Sequence, residues 1–209
     1  MWKDTSFSLY FCAVRSGLVI RKLATLLAIA AVCGVGAFFY FRSDFSWDSD
    51  ASDDANGPIA NMDQTLPQTV LVSLDNRWVD LSKNKGQVML LEFFATWCPG
   101  CVDETPSLIR IQRKFSNRGF TVIAIAIDDQ GEETVESFVK NRQFSLDGAS
   151  APLNYPVLMG SVEIAQKLGF EGGLPAGVLV NRDGKEVKII RGVVSEATLT
   201  KTIQRLLEN

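Results

Sequence analysis

Residues Val88–Cys101 read "VMLLEFFATWCPGC", an apolar run of strand length that ends in two cysteines separated by two residues. Such a pair serves as half of a zinc site, a haem attachment point, a structural staple or a redox dithiol. Counting separates these. The 209-residue chain has no histidine, and its other two cysteines, Cys12 and Cys33, lie far upstream. A structural zinc needs four Cys or His ligands and is left without them. Covalent haem attachment requires histidine after the second cysteine, where this chain has Val102. A staple across so short a loop removes little unfolded-state entropy. The leading reading is a reversible dithiol.

The lack of histidine also excludes Ser-His-Asp and Cys-His catalysis, so acid-base work near neutral pH falls to perturbed carboxylates or thiols. A net charge of -3 offers no global attraction to nucleic acid.

Working toward the N-terminus, Leu23–Phe41, "LATLLAIAAVCGVGAFFYF", carries no charge and has about the ~20 residues of a membrane-spanning helix. Lys3, Arg15, Arg21 and Lys22 precede it, while Asp44, Asp48, Asp50, Asp53 and Asp54 follow. The positive-inside rule then puts residues 1–22 in the cytoplasm as a tail, 23–41 in the membrane as a single-pass anchor, and the remainder outside, on the periplasmic or extracytoplasmic side. Signal-peptidase cleavage near Val35-Gly36-Ala37 is the alternative, but the apolar run continues through "FFYF". Lipidation at Cys33 is disfavoured by Val32, where a small residue is required. Cys12 and Cys33 read as small hydrophobes that cannot reach the Cys98 pair. Residues 42–61, rich in Asp, Ser, Ala and Asn, read as a flexible acidic tether. Residues 62–209 are long enough for one domain with its own core.

Within that domain, "TVLVSLDNRWVDL" alternates about Asp75-Asn76 as a hairpin. "QVMLLEFFA", "FTVIAIAID" and "PAGVLVN" are apolar runs typical of buried central strands. "DETPSLIRIQRKFSNRG" and "GEETVESFVKNRQ" have helical spacing, which makes an α/β domain with parallel strand pairs. Asp183-Gly184 turns the last central strand into "KEVKII", and "SEATLTKTIQRLLEN" closes the chain as a helix starting at Ser195. "QFSLDGASAPLNYP" is read as a connection in preference to a partner-binding loop.

The strand-to-helix junction places Cys98 at a helix N-terminus, with Pro99 and Gly100 in the first turn. Unpaired N–H groups and the helix dipole stabilise a thiolate there, which makes Cys98 the nucleophile. Cys101, one turn deeper, resolves the mixed disulfide after losing its proton. Two carboxylates are candidate acceptors. Glu92 interrupts the buried strand run, where desolvation raises its pKa, and Glu104 shares a helix face with Cys101. The plainer readings are a strand residue reaching the sheet edge for Glu92 and a first-turn acid favoured by the dipole for Glu104.

"LLEFFATWCPGC", followed by "YPVLMGSVEIAQKLGFEGGLPAGVLVNRDGKEV", resembles the TlpA/ResA branch of membrane-anchored thioredoxin-like thiol-disulfide oxidoreductases from about residue 62 to the C-terminus. The resemblance implies a thioredoxin-like fold: a central mixed sheet flanked by helices, with an N-terminal β-hairpin extension. It also implies a cis proline beside the dithiol, at Pro175, and substrate contacts by Trp97, Pro99, Gly100, Leu174 and Pro175. Leu174 would present backbone groups to an extended substrate. Glu92 matches the buried acid of thioredoxin, and Glu104 the acid after the second cysteine of ResA-like proteins. The chain departs from the pattern in its Pro99-Gly100 dipeptide and in Gly177. The dipeptide helps set redox potential, so reductant and oxidant roles both stay open. By resemblance the partners are disulfide-containing proteins, such as apocytochrome c or a metal centre awaiting assembly, and a DsbD/CcdA-like membrane donor of reducing equivalents. Neither cofactor nor metal is expected.

Three other functions compete with a reductase. A disulfide oxidase or isomerase of the same fold differs only in potential. A thiol peroxidase needs Pro-x-x-x-Thr/Ser-x-x-Cys, but the chain has Leu91 and Ala95 at those positions. A copper-delivery module of this fold uses a distant histidine, which is absent.

Overall fold

A computed structural model describes residues 59–208. The predicted tail, the anchor and most of the tether lie outside them. Among the described residues, no helix is long and apolar enough to cross a membrane.

The strands are β1 (Ile59–Thr65), β2 (Val70–Ser73), β3 (Trp78–Asp80), β4 (Val88–Phe94), β5 (Phe120–Ala126), β6 (Phe144–Leu146), β7 (Ala149–Ala151), β8 (Val157–Met159), β9 (Ala176–Val180) and β10 (Lys185–Arg191). The helices are α1 (Pro99–Phe115), α2 (Glu132–Asn141), α3 (Val162–Lys167) and α4 (Glu196–Glu208). Eight strands form one mixed sheet in the order β1-β10-β9-β4-β5-β8-β2-β3. β4 and β8 run parallel to β5, and the other pairings are antiparallel. The predicted hairpin is β2-β3, with Asn76 in the left-handed region at φ 60°.

The pleat of β4 sorts its side chains by the period of two. Met89, Leu91 and Phe93 enter the core layer that contains Ala165, Leu168 and Phe170 of the α3 region. Val88, Leu90 and Phe94 enter the opposite layer, with Leu108, Ile109, Ile111 and Phe115 of α1 and Leu199 and Ile203 of α4. Glu92 falls on the α1 side by the same alternation. β4 is fully buried because it lies between β5 and β9, which leaves Glu92 no sheet edge to escape to.

Two expectations are corrected. β1 begins at Ile59, three residues inside the predicted tether, because Ile59 and Ala60 pair with Ile190 and Ile189 on β10. The stretch read as a plain connection holds the β6-β7 hairpin, turned at Asp147-Gly148 with φ 53° and 85°. Phe144, Leu146 and Ala151 of that hairpin are buried in the α1-side core.

Candidate active site

β4 runs through the sheet centre and delivers Ala95-Thr96-Trp97 to the start of α1. Cys98 is the N-cap residue, with extended backbone (φ -84°, ψ 108°), and Pro99 opens the helix. The Cys98 Sγ accepts the Cys101 N–H at 3.2 Å. The two cysteines form a disulfide with Cα atoms 5.3 Å apart. Free N–H groups at this helix end favour negative charge on sulfur once the bond is reduced.

The turn is tied to the end of β5. Asp128 accepts from the Thr96 N–H at 2.6 Å and the Thr96 hydroxyl at 2.7 Å, and Asp129 accepts from the Trp97 indole N–H at 2.8 Å. Burial raises the Asp128 pKa, but the bonds from Thr96 and from the Gln130 N–H outweigh it and leave it lowered. Asp128→Ala removes the two Thr96 bonds and the Gln130 bond together. Bonds to a charged group each contribute about 1.5–3 kcal/mol, so urea unfolding should show a loss of at least about 2 kcal/mol. A change below about 0.5 kcal/mol would mean that Asp128 does not hold the turn.

Leu174-Pro175 is a cis peptide. The Pro175 carbonyl accepts the Gly192 N–H at 2.9 Å, which holds the segment against the end of β10. A Cβ on Gly100 would stand 3.0 Å from Pro175 Cδ and 3.3 Å from Val193 Cγ2, so glycine lets α1 approach this proline. A Cβ on Gly177 would stand 3.0 Å from the Leu91 carbonyl oxygen and 3.2 Å from Leu90 Cδ1. Both departures from the family pattern are therefore close-contact glycines. Trp97, Cys98, Pro99, Gly100 and Leu174 line a cleft of about 380 Å³, completed by Ile127, Val162, Phe170 and Gly173. Pro175 lies behind it, against Gly100.

Cys98 and Cys101 are 4% and 1% exposed, and of the two only Cys98 lines the cleft. Both predicted carboxylates are buried, Glu92 on β4 and Glu104 one turn after Cys101 on α1. Glu104 has its pKa raised to about 7 by burial, opposed by a bond from the Val194 N–H to Oε1 at 3.5 Å. Glu92 is pushed well above the ordinary range, first by burial and then by the charge of Glu104, with a hydrogen bond to Tyr155 acting the other way. The two acids share the lining of one small cavity between β4, β9 and α1. Among the described residues, no cluster of three or more His, Cys, Asp or Glu could hold a metal ion.

Sequence reasoning missed Asp128, Asp129, Thr105 and Tyr155. The aspartates had a signal, a polar pair at the end of an apolar strand. Tyr155 had none, because only the tertiary fold brings the segment before β8 to Glu92.

A buried dithiol at a helix N-cap, on a mixed sheet of this order and beside a cis proline, defines a thioredoxin-like thiol-disulfide oxidoreductase. The chain belongs to the Redoxin family, which its residues 61–204 match. It is 25% identical over 186 residues to a thiol-disulfide oxidoreductase ResA of Bacillus cereus, covering 89% of this chain and 96% of that protein. ResA of Bacillus subtilis (strain 168) is 26% identical over 133 residues, 64% of this chain and 69% of that one. A solved thioredoxin-family thiol:disulfide interchange protein from Chlorobium tepidum TLS matches with a TM-score of 0.59 at 26% identity, over 70% of this chain and 97% of the other. A secreted thiol-disulfide isomerase from Corynebacterium glutamicum shares the fold, with a TM-score of 0.63 at 20% identity over 75% and 95% of the two chains. The protein is a protein-disulfide oxidoreductase.

Proposed function

We propose that this oxidoreductase acts as a membrane-anchored, extracytoplasmic reductase of disulfides in partner proteins. Its targets are haem-site cysteines of apocytochrome c or cysteines of a metal centre awaiting assembly. The observation that supports thiol exchange at this site is the burial of two acids with raised pKa values, Glu92 on β4 and Glu104 one turn after Cys101 on the helix that carries the dithiol. A reductant must deprotonate its resolving thiol in every cycle, and these acids supply acceptors near neutral pH.

In this reading the Cys98 thiolate attacks one sulfur of the partner disulfide. A Cys98–partner disulfide forms, and the first partner sulfur leaves and takes a proton. Cys101 then gives its proton to a buried carboxylate and attacks the Cys98 Sγ. This closes the Cys98–Cys101 disulfide and releases the second partner thiol. Two electrons pass to the partner, and a membrane thiol donor of the DsbD/CcdA class returns them. The anchor follows from the uncharged run Leu23–Phe41 and the charge asymmetry around it.

The test is the reduction potential of the full-length protein, equilibrated against glutathione or dithiothreitol buffers. A value near the thioredoxin end, about -270 mV, is expected. A value near about -120 mV would make the protein a disulfide donor and overturn the reductase reading. Resistance of the protein to carbonate extraction from membranes tests the anchor separately, and its release by carbonate would remove that part.

A further inference from the structure

The segment Glu171-Gly172-Gly173-Leu174 connects two fixed points of the cleft wall. Upstream of it, the Phe170 N–H donates to the Ala165 carbonyl at 2.9 Å, and the Phe170 ring packs 5.4 Å from that of Phe93. Downstream, the Pro175 carbonyl accepts the Gly192 N–H at 2.9 Å. Gly172 and Gly173 both take left-handed φ, 103° and 80°, and a Cβ on either would meet nothing within 4 Å. Packing does not hold these two glycines, and glycine is the residue whose backbone is least restrained by itself.

The tie across this span is made by side chains. Arg191, the last residue of β10, stands opposite Ala176 in the register with β9, one position past the cis proline. Its Nε and Nη2 both reach Glu171 Oε2, at 2.7 and 2.6 Å. Two N–H groups of one planar guanidinium fix the direction of the carboxylate as well as its distance. The remaining Nη1 is buried and has no hydrogen-bond partner among the described residues. A buried unpaired donor is destabilising, and the ion pair to Glu171 is the contact set against it.

What stands across the cleft gives this wall its importance. Phe170, Gly173 and Leu174 line the same cleft as Trp97, Cys98 and Val162. Trp97 and Val162 are 50% and 46% exposed, so the reactive sulfur opens onto apolar surface. A partner chain seated there needs both sides in place. If the glycine span drifts, apparent affinity falls with the fraction of molecules whose wall is formed.

We propose that Arg191 is a positioning residue for substrate: through Glu171 it holds the Gly172-Gly173 span, and with it the Phe170–Leu174 wall that seats the partner chain beside Cys98. The latch touches neither sulfur. It serves a polypeptide disulfide in either direction of electron flow, so it goes beyond the reductase reading and does not depend on it. The two side chains are 38% and 57% exposed, and ion pairs of that exposure are weak, which sets the expected effect at severalfold.

The test is steady-state turnover of the full-length protein, with dithiothreitol as reductant and two disulfides as substrates. One is an uncharged disulfide-bonded peptide, on which the removed charges exert no direct force. The other is hydroxyethyl disulfide, which is too small to need the wall. Arg191→Ala and Glu171→Ala should each raise KM for the peptide about threefold to fivefold and leave kcat within about twofold. Turnover of hydroxyethyl disulfide should stay within about twofold of the parent in both variants. Combining the two substitutions should do no more than either alone, because both remove one interaction. Melting temperatures are recorded alongside. An unchanged peptide KM in both single variants overturns the proposal, as do single effects that multiply in the double variant. Equal slowing of the two disulfides also overturns it, since that pattern belongs to general damage at the dithiol. Should Arg191→Ala fail to fold, Glu171→Ala on the exposed segment carries the same decision: a raised peptide KM at unchanged kcat supports the latch, and an unchanged one removes it.

Discussion

Cys101→Ser is expected to accumulate as a covalent complex with any disulfide substrate, while Cys98→Ser forms no such complex and loses turnover by at least about a thousandfold. The asymmetry comes from position. Cys98 lines the cleft and sits at the N-cap of α1, where the helix end stabilises its thiolate. Cys101 is 1% exposed and does not line the cleft. Without Cys101 the first exchange still proceeds, but no internal thiol completes it. Without Cys98 the remaining thiol cannot reach a partner sulfur. Non-reducing electrophoresis after mixing each reduced variant with a disulfide peptide separates the cases. A trapped complex with Cys98→Ser, or none with Cys101→Ser, would reverse the assignment of attacking and resolving sulfur.

How much of this was legible beforehand depends on how local each feature is. The "VMLLEFFA" run and the cysteine pair after it are contiguous, so strand, junction and helix N-cap follow from neighbouring residues alone. The Asp183-Gly184 turn is legible for the same reason, and the structure gives the antiparallel β9-β10 pair there. Asp147-Gly148 carries the same signal between "FSL" and "ASA", but those strands are three residues each and pair only with each other. Their apolar alternation is too short to stand out. β1 was missed because its pattern is mostly polar, and it forms by pairing with the distant β10. Among the site residues, Glu92 stood out because a carboxylate in a buried strand requires an explanation. Tyr155, an ordinary aromatic in a connecting segment, reaches the small cavity it lines with Glu92 and Thr105 only through the tertiary fold. Local chemistry was readable, and assembly of the acid cluster was not.

The same burial that adapts the acids for proton transfer destabilises the fold at neutral pH. Glu104 is held at about 7 in the folded protein against an ordinary 4.5. Between those values the folded chain binds more protons than the unfolded one, so stability falls as pH rises. The stability present below pH 4.5 is lost as pH rises through 7, and for one group the total is on the order of 3 kcal/mol. Glu92 adds a loss of the same sign, since burial and then the charge of Glu104 oppose its ionisation. Glu186, buried on β10 and bonded by Gln64, contributes in the same direction. Glu104→Gln keeps an oxygen to accept the Val194 N–H and removes the charge. The oxidised variant is therefore expected to unfold about 5–10 °C higher than the parent at pH 8, with little difference at pH 4. Glu92→Gln should also stabilise at pH 8, and the double variant should show a much flatter pH dependence. Both substitutions slow resolution of the mixed disulfide, because the proton acceptors go with the charges, so stability and turnover move in opposite directions. Thermal unfolding of the oxidised proteins at pH 4, 6 and 8 decides the matter. If the parent melts at the same temperature throughout, or Glu104→Gln melts lower at pH 8, the carboxyls are not held protonated by burial, and the proton-acceptor assignment loses its physical basis.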